Sequence, residues 1–273
     1  MKVKDYFLTQ ESFELKKETE TGILYTTPTP TDLDKYYQSE NYISHTDGNK
    51  SLFEKLYQIA KNFNLKSKLN VVKKNTSGKS ILDYGCGVGD FLLFMQKNGY
   101  NVKGFEPNED ALKIAHKKLG ESVSNQNILE NTEKYDIITL WHVLEHIPNR
   151  DEILHSLIEH LKPNGKLIIA VPNHESFDAK HYKEYWAAYD VPRHLWHFNP
   201  KIMKHYSERF GMKIENIVPQ YLDSFYVSIL SEKYQKNSFP LIRGLWYGLI
   251  SNLKATKTNQ YSSLIYIMEK QVK

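Results

Sequence analysis

From residue 80 onward, short apolar runs alternate with segments whose apolar positions recur every three to four residues. Residues 80–83 form an apolar run that ends in a glycine-rich turn, and 91–98 then read as a helix stopped at Gly99. The unit repeats. A strand is predicted over 101–106, ending at Glu106-Pro107, and Asn108 stands where a helix cap belongs, ahead of Ala111, Leu112, Ala115 and Leu119 at helical spacing. A third strand is predicted over 135–140 and a helix over 151–161, with Ile153, Leu154, Leu157, Ile158 and Leu161 on one side. Pro163-Asn164-Gly165 then turns the chain into a strand over 166–171. Buried-type strands alternating with helices imply the α/β class, with a doubly wound, mainly parallel sheet covered on both faces.

On either side of this core the pattern changes. Before residue 80 an aromatic stretch with Tyr25, Pro28, Pro30, Tyr36, Tyr37 and Tyr42 precedes a predicted helix over 51–74, so 1–79 reads as a helical N-terminal cover rather than a second domain. Residues 173–199, rich in His, Tyr and Trp, exceed the usual connection of about 4 to 6 residues and read as a lid on a core spanning 80–219. A helix over 200–210, a strand over 212–219, an apolar helical stretch around 225–250 and a final strand over 263–269 follow. Residues 220–273 thus form a C-terminal helical insertion and last strand.

Composition narrows the class. With 273 residues, 40% of them hydrophobic, and 36 Lys plus Arg against 32 Asp plus Glu, the chain is excluded from bulk disorder and suits one large domain with additions. Its single cysteine, Cys86, can form neither an intramolecular disulfide nor a zinc-thiolate cluster, and no charged-then-apolar leader opens the sequence; the expectation is cytoplasmic. No apolar run reaches the ~20 residues that cross a bilayer. The best candidate, 239–253, is interrupted by Arg243 and Asn252 and reads as core or a dimer face ahead of a surface helix resting on a membrane or guiding a lipid-like acceptor. Residues 50–79 carry 8 basic groups and 1 acidic, which reads as a solvated helix face ahead of a nucleic-acid contact.

The turn after the first core strand carries the chemistry. Its glycines, Gly85, Gly87 and Gly89, permit close backbone approach to a nucleotide-like ligand, but Asp90 stands where a dinucleotide fingerprint places its third glycine. A helix N-terminus that binds pyrophosphate presents bare amides, whereas Asp90 and Asp83 put negative charge there, so a cationic or zwitterionic ligand fits better. S-adenosylmethionine, with a sulfonium, an amino group, a ribose and no phosphate, is such a ligand. Glu106, at the tip of the next strand, can accept both ribose hydroxyls.

Through Leu82-Asp83-Tyr84-Gly85-Cys86-Gly87-Val88-Gly89, Glu106-Pro107, Tyr135-Asp136-Ile137-Ile138 and the run 161–167, the sequence resembles the class I S-adenosylmethionine-dependent methyltransferases over about 80–219. Trp141-His142-Val143-Leu144-Glu145-His146 and the run 192–198 resemble the small-molecule branch that includes ubiquinone-biosynthesis O-methyltransferases. The resemblance implies a seven-stranded sheet whose last strand is antiparallel. It implies that Asp83, Gly85, Gly87, Glu106 and Pro107 bind the cofactor and that Leu140, Trp141 and His142 close over it. Ser124-Asn125-Gln126-Asn127 lacks the acidic residue often used for the adenine amine.

Acceptor chemistry is then expected in the lid, which the fold would place over the transferable methyl. His194, or failing that His142, is the candidate general base, and Tyr189, Arg193 and His197 are candidate substrate contacts. The acceptor is expected to be a small or lipid-linked molecule methylated at a hydroxyl. The absence of an Asn or Asp, Pro, Pro, aromatic run before Trp141 argues against nucleic-acid amines, and a non-catalytic cofactor-binding regulator is the alternative outside enzymes. Cys86 reads as a small packing residue. His142-Val143-Leu144-Glu145-His146 matches a zinc pattern formally, but Pro148 breaks the long helix a metallopeptidase needs, so no metal is expected. Tyr36, Tyr37, Tyr42 and His45 read as aromatic packing ahead of a cap on the site.

Overall fold

The computed structural model describes residues 1–37, 52–126 and 132–271; Tyr42, His45 and Asn127 lie outside the described residues. The strands are β1 (Lys2–Lys4), β2 (Ser12–Lys17), β3 (Leu24–Thr27), β4 (Ser80–Tyr84), β5 (Asn101–Phe105), β6 (Val123–Ser124), β7 (Tyr135–Trp141), β8 (Leu161–Pro172), β9 (Trp196–His197), β10 (Met212–Pro219) and β11 (Ser263–Lys270). The helices are α1 (Leu52–Asn75), α2 (Asp90–Lys97), α3 (Glu109–Leu119), α4 (Arg150–Glu159), α5 (Phe177–Tyr182), α6 (Pro200–Arg209), α7 (Asp223–Tyr234) and α8 (Pro240–Thr258).

Seven strands form the main sheet in the order β10-β11-β8-β7-β4-β5-β6. The pairs from β8 through β6 are parallel, and β11 runs antiparallel between β8 and β10, as the resemblance implied. Strand order reverses at β4, which has β5 on one side and β7 on the other. A crevice opens at such a switch point, beyond the carboxyl ends of the strands.

The strands are apolar on both sides because both sides are covered. Leu82, Ile138, Leu167 and Ile169 face Ile153, Leu154 and Leu157 of α4 and Met203 of α6. Their strand neighbours Ile81, Ile137 and Ile168 face Leu69 and Val72 of α1, Leu92 and Met95 of α2, and Ala115 of α3. This is the period-2 alternation of a pleated strand carried through two apolar layers. At the start of β8, Leu161 pairs with Tyr135 and Lys166 with Ile137, so the predicted turn at 163–165 loops out within the strand.

The N-terminal cover is a sheet as well as a helix. β1, β2 and β3 form an antiparallel sheet that β9, from the lid, completes through Trp196 opposite Tyr25 and His197 opposite Leu24. Val3, Phe13, Leu15 and Tyr36 pack against Tyr182, Trp186 and Val191, so the lid is a folded layer rather than a long loop. Tyr36 takes the packing role expected of it, edge-on to Phe13 with its hydroxyl donating to Glu11.

The apolar stretch around 225–250 is a helical hairpin of α7 and α8. A Cβ on Gly244 would lie 2.5 Å from the Ile229 backbone, so glycine lets the two helices meet closely. The other side of α8 departs from the expected core burial: Phe239, Leu241, Ile242, Leu245, Trp246, Leu249 and Leu253 are all exposed. None of the described helices is long and apolar enough to cross a membrane.

Candidate cofactor crevice and histidine cluster

After β4 the chain bends through Gly85 to Gly89 into α2, with the amides of Gly85 and Cys86 donating to Phe105 O at 2.8 and 3.0 Å. Gly85 has φ +78°, and a Cβ there would lie 2.6 Å from Val143 Cγ2; the glycine lets the turn after β7 pack against the loop. Gly87, at φ +55°, has nothing within 4 Å of its Cβ position and so faces open space. Its amide donates to Glu106 Oε2 at 2.7 Å, and Asn108 N donates to Oε1 at 2.9 Å. Burial raises the Glu106 pKa against these two amides, and the carboxylate keeps lone pairs for further donors.

Asp83 is 2% exposed and accepts the Thr139 hydroxyl at 2.6 Å. Burial pushes its pKa up to about 6, with Thr139 and Lys68 opposing the shift. Trp141 closes β7 beside it, edge-on to Phe91 with ring centroids 5.3 Å apart, and its buried Nε1–H has no hydrogen-bond partner. Lys68 of α1 holds its ammonium 4.5 Å above the Trp141 ring. Burial brings Lys68 down to about 8, and the carboxylates of Asp83 and Asp223 hold it from falling further.

An open glycine backbone, two buried carboxylates and an unpaired indole donor suit a ligand with a cationic head and a sugar diol. These residues therefore fit S-adenosylmethionine. Asp90 does not contribute to this preference as expected. Burial raises it, but Lys118 and Lys61, at 2.7 and 2.6 Å, bring it below the usual carboxylate range and neutralise it. Leu140 is fully buried in the apolar layer beneath the crevice, so closure over the cofactor is left to Trp141 and its neighbours; Pro107 is exposed at the rim.

His142 stands apart from the role of base. Its Nε2 lies 3.1 Å from Gln220 Oε1 and 3.2 Å from Asp223 Oδ2, and its Nδ1 lies 3.4 Å from Glu145 Oε1. Burial would lower its pKa, but the two carboxylates raise it to about 10. At neutral pH the ring is an imidazolium with no lone pair to receive a proton. His194 keeps one. Its Nδ1–H donates to Ala188 O at 2.9 Å, so the lone pair of the neutral ring is on Nε2, and its ring meets that of His146 edge-on at 4.5 Å.

Arg193 and His197 are engaged inside the fold. Arg193 donates to Asp190 at 2.6 and 3.0 Å, to Asp5 at 3.0 Å and to Tyr36 O at 3.2 Å, tying the N-terminal segment to the lid at 1% exposure. His197 pairs with Thr26 Oγ1 at 3.0 Å beneath the small sheet, where burial pushes its pKa well below the ordinary range. Both depart from the substrate contacts expected of them, because their polar atoms are taken up by the cover. Tyr189 is buried edge-on to Trp186 and His197.

Sequence reasoning missed Lys68, Lys61, Gln220 and Asp223. The lysines had a visible signal: Lys61, Leu65, Lys68 and Val72 recur at helical spacing, so both share the inward stripe of α1 with the leucines rather than a solvated face. Gln220 and Asp223 had none, since only the return of β11 into the sheet sets the start of α7 beside β7.

A family profile described as "Methyltransferase domain" matches residues 55–217. Ubiquinone biosynthesis O-methyltransferases are among the curated relatives: that of Aliivibrio fischeri is 31% identical over 118 residues, covering 39% of this chain and 50% of that protein. That of Hydrogenovibrio crunogenus is 31% identical over 137 residues, covering 47% and 54%. The chain thus spans about half the length of these relatives. In structure, the magnesium protoporphyrin IX methyltransferase of Synechocystis PCC 6803 with bound S-adenosylhomocysteine aligns with a TM-score of 0.56 at 16% identity, over 87% of this chain and 97% of that one.

Proposed function

This chain belongs to the methyltransferase-domain family, as a class I S-adenosylmethionine-dependent methyltransferase, and from that premise we propose that it methylates a hydroxyl oxygen on a small or lipid-linked molecule. The observation that carries the reading is the crevice at the β4/β7 switch point, where Asp83, Glu106, Trp141 and the open backbone of Gly87 meet. When bound, the cofactor supplies a methyl on a sulfonium sulfur; an acceptor oxygen forms the new C–O bond as the C–S bond breaks and S-adenosylhomocysteine departs.

The chain's own residues supply position. Asp83 would hold the amino group, Glu106 would take the ribose hydroxyls, and Trp141, whose Nε1–H is unpaired, would border the cofactor. Most of the rate enhancement of such a transfer comes from holding donor and acceptor in line. Of the two candidate imidazoles, His194 is the one not held between carboxylates, and the Nε2 of its neutral ring would take the acceptor's proton. The core of 80–219 carries these groups, the lid of 173–199 carries His194, and 220–273 contributes Gln220 and Asp223 behind His142.

Two observations support the acceptor class. The relatives matched over part of the chain methylate oxygen in ubiquinone biosynthesis, as their names state. The exposed apolar face of α8, with Arg243, Lys254 and Lys257 on the same helix, suits peripheral contact with a membrane that holds a lipid-linked acceptor.

The test is transfer of labelled methyl from S-adenosylmethionine by the purified full chain to a panel of polyprenylated phenols, simple catechols, sugars and RNA. Product on a phenol, traced to the oxygen by mass spectrometry, is the expected result. Transfer only to RNA, or cofactor binding with no turnover on any acceptor, overturns it.

A further inference from the structure

The last helix before β11 turns its bulk outward. The buried residues of α8 are all small: Gly244, Gly248, Ser251 and Ala255. A Cβ on Gly244 would lie 2.5 Å from Ile229 Cα and one on Gly248 2.8 Å from Phe225 Cα, so the inner stripe is used up in close packing against α7. Phe239, Ile242, Leu245, Trp246, Leu249 and Leu253 project the other way and are exposed, Phe239 at 74% and Trp246 at 61%. At helical pitch these six share an arc of about 120°, opposite the small residues. A helix that faces water carries polar side chains there. Small residues packed inward with large apolar ones left outside is the pattern of a helix whose outer medium is lipid.

Charge selects among the possible occupants of this face. From Lys233, in the last turn of α7, to Thr258, at the end of α8, the chain carries Lys233, Lys236, Arg243, Lys254 and Lys257 and no Asp or Glu. Arg243 pairs with Glu232 at 2.7 Å, but the four lysines are exposed and make no ion pair among the described residues. Two of them precede Phe239 at one end of the apolar stripe, and two follow Leu253 at the other. A second copy docked about a two-fold axis would set like charges together in either direction, because both ends are basic. A nucleic-acid backbone would suit the lysines and leave the apolar stripe uncovered. An anionic lipid surface satisfies both, with headgroups on the lysines and the acyl boundary against the stripe. The helix is not long and apolar enough to cross a bilayer, which leaves an arrangement in the plane of the interface.

We propose that the α7–α8 hairpin docks on an anionic membrane surface, with α8 lying in the interface, Trp246 sunk below headgroup level and the four lysines on lipid headgroups. The hairpin holds a fixed relation to the crevice. Asp223, the first residue of α7, has Oδ2 3.2 Å from His142 Nε2, and Asn252 of α8 donates to Tyr221 O at 2.9 Å, just ahead of α7. Docking through α8 therefore sets the orientation of the crevice to the bilayer. That the crevice draws its methyl acceptor from that bilayer rests on the function proposed above; the docking surface itself does not.

The experiment uses the full-length protein with vesicles of phosphatidylcholine, alone or mixed equally with phosphatidylglycerol, separated by flotation. Mixed vesicles should bind the protein, neutral ones at least about tenfold less, and added salt should release it. Trp246→Ser should lower partition about tenfold. Lys254→Gln combined with Lys257→Gln should lower it about 10- to 30-fold on mixed vesicles and flatten the salt dependence. Acyl-brominated lipid should quench tryptophan fluorescence in the parent and not in Trp246→Phe, since Trp141 and Trp186 are buried and Arg150 covers the Trp196 ring at 3.5 Å. Every variant should keep the parent's affinity for S-adenosylhomocysteine, because α8 supplies nothing to the crevice.

Absence of binding to mixed vesicles, equal binding to both vesicle types, or equal binding by parent and Trp246→Ser overturns the proposal. A dimer in sedimentation velocity that Trp246→Ser dissolves, without vesicle binding, overturns it in favour of a second copy. Retention on RNA without vesicle binding overturns it in favour of a nucleic acid. Should a variant fail to fold, lipid quenching and salt release in the parent decide the matter. Vesicle binding without methyl transfer to any phenol sinks the hydroxyl acceptor and leaves the surface standing. Transfer to simple catechols by a protein that ignores vesicles does the reverse.

Discussion

Asp83 gives the proposed cofactor contact a pH signature. In the unliganded protein this carboxyl is 2% exposed, and burial lifts it to about 6 from an ordinary 3.8. A cationic amino group binds the carboxylate and not the neutral acid. Affinity for S-adenosylhomocysteine should therefore be level above about pH 7 and fall as the carboxyl takes up a proton, by roughly tenfold at about pH 5, or ~1.4 kcal/mol. The unliganded stability has the opposite sign. With its folded pKa raised, Asp83 contributes stability that is fully present below the ordinary aspartate range and lost as pH rises through about 6. The assay is calorimetric titration with S-adenosylhomocysteine from about pH 8 to pH 5, with melting curves of the free protein over the same range. Asp83→Asn keeps an acceptor for the Thr139 hydroxyl but removes the charge, and should cost ~1.5–3 kcal/mol of affinity at neutral pH and flatten this part of the profile. Slope remaining in that variant belongs to Glu106, which burial also raises. A flat profile in the parent protein, or undiminished affinity in Asp83→Asn, refutes the contact.

Glu106→Gln should lower cofactor affinity about 10- to 100-fold in equilibrium dialysis, as charge-assisted bonds to a diol are replaced by neutral ones. Gly85→Ala and Gly87→Ala should separate packing from binding. The first, 2.6 Å from Val143 Cγ2, should cost ~1–3 kcal/mol in denaturant melts, whereas the second, open to 4 Å, should cost ~1 kcal/mol yet depress cofactor affinity far more. Cys86→Ala should retain methyl transfer, since burial pushes the thiol well above its ordinary pKa and the side chain packs against the α2 side of the sheet. Loss of turnover with cofactor affinity intact would contradict that.

The doubly wound core was legible because two physical periods coincide there. Ile81-Leu82 and Ile137-Ile138 are apolar at consecutive positions, as a strand covered on both faces requires, and helical spacing resumes between them. The antiparallel strands β1, β2 and β3 were not legible. They are short, β1 and β2 carry charged residues between their few apolar ones, and Val3, Phe13 and Leu15 gain their apolar partners Tyr182, Trp186 and Val191 from 150 residues or more further along. The same distance hid the true setting of Arg193, whose attraction to Asp5 exists only once the small sheet has closed on the lid.

Charge was harder to read than apolar pattern, because its meaning depends on what stands opposite. Asp90 looked like the residue that turns phosphate away, yet Lys61 and Lys118 cancel it. The anionic character of the crevice rests instead on Asp83 and Glu106, which burial keeps from ionising freely, and on Asp223, supplied by a segment past the predicted core. His142 shows the consequence for chemistry. On sequence it and His194 were alternatives for one task, but two carboxylates hold the first as a cation by raising its pKa to about 10, while the second has a backbone carbonyl on Nδ1 in their place. The zinc-like spacing of His142, Glu145 and His146 misleads for a related reason. His142 gives its ring to Glu145 on one side and to Gln220 and Asp223 on the other, and the residue that joins Glu145 and His146 is His194 of the lid, 48 residues beyond His146. A pattern within one segment can propose donors, but whether they share a centre depends on the segment folded over them.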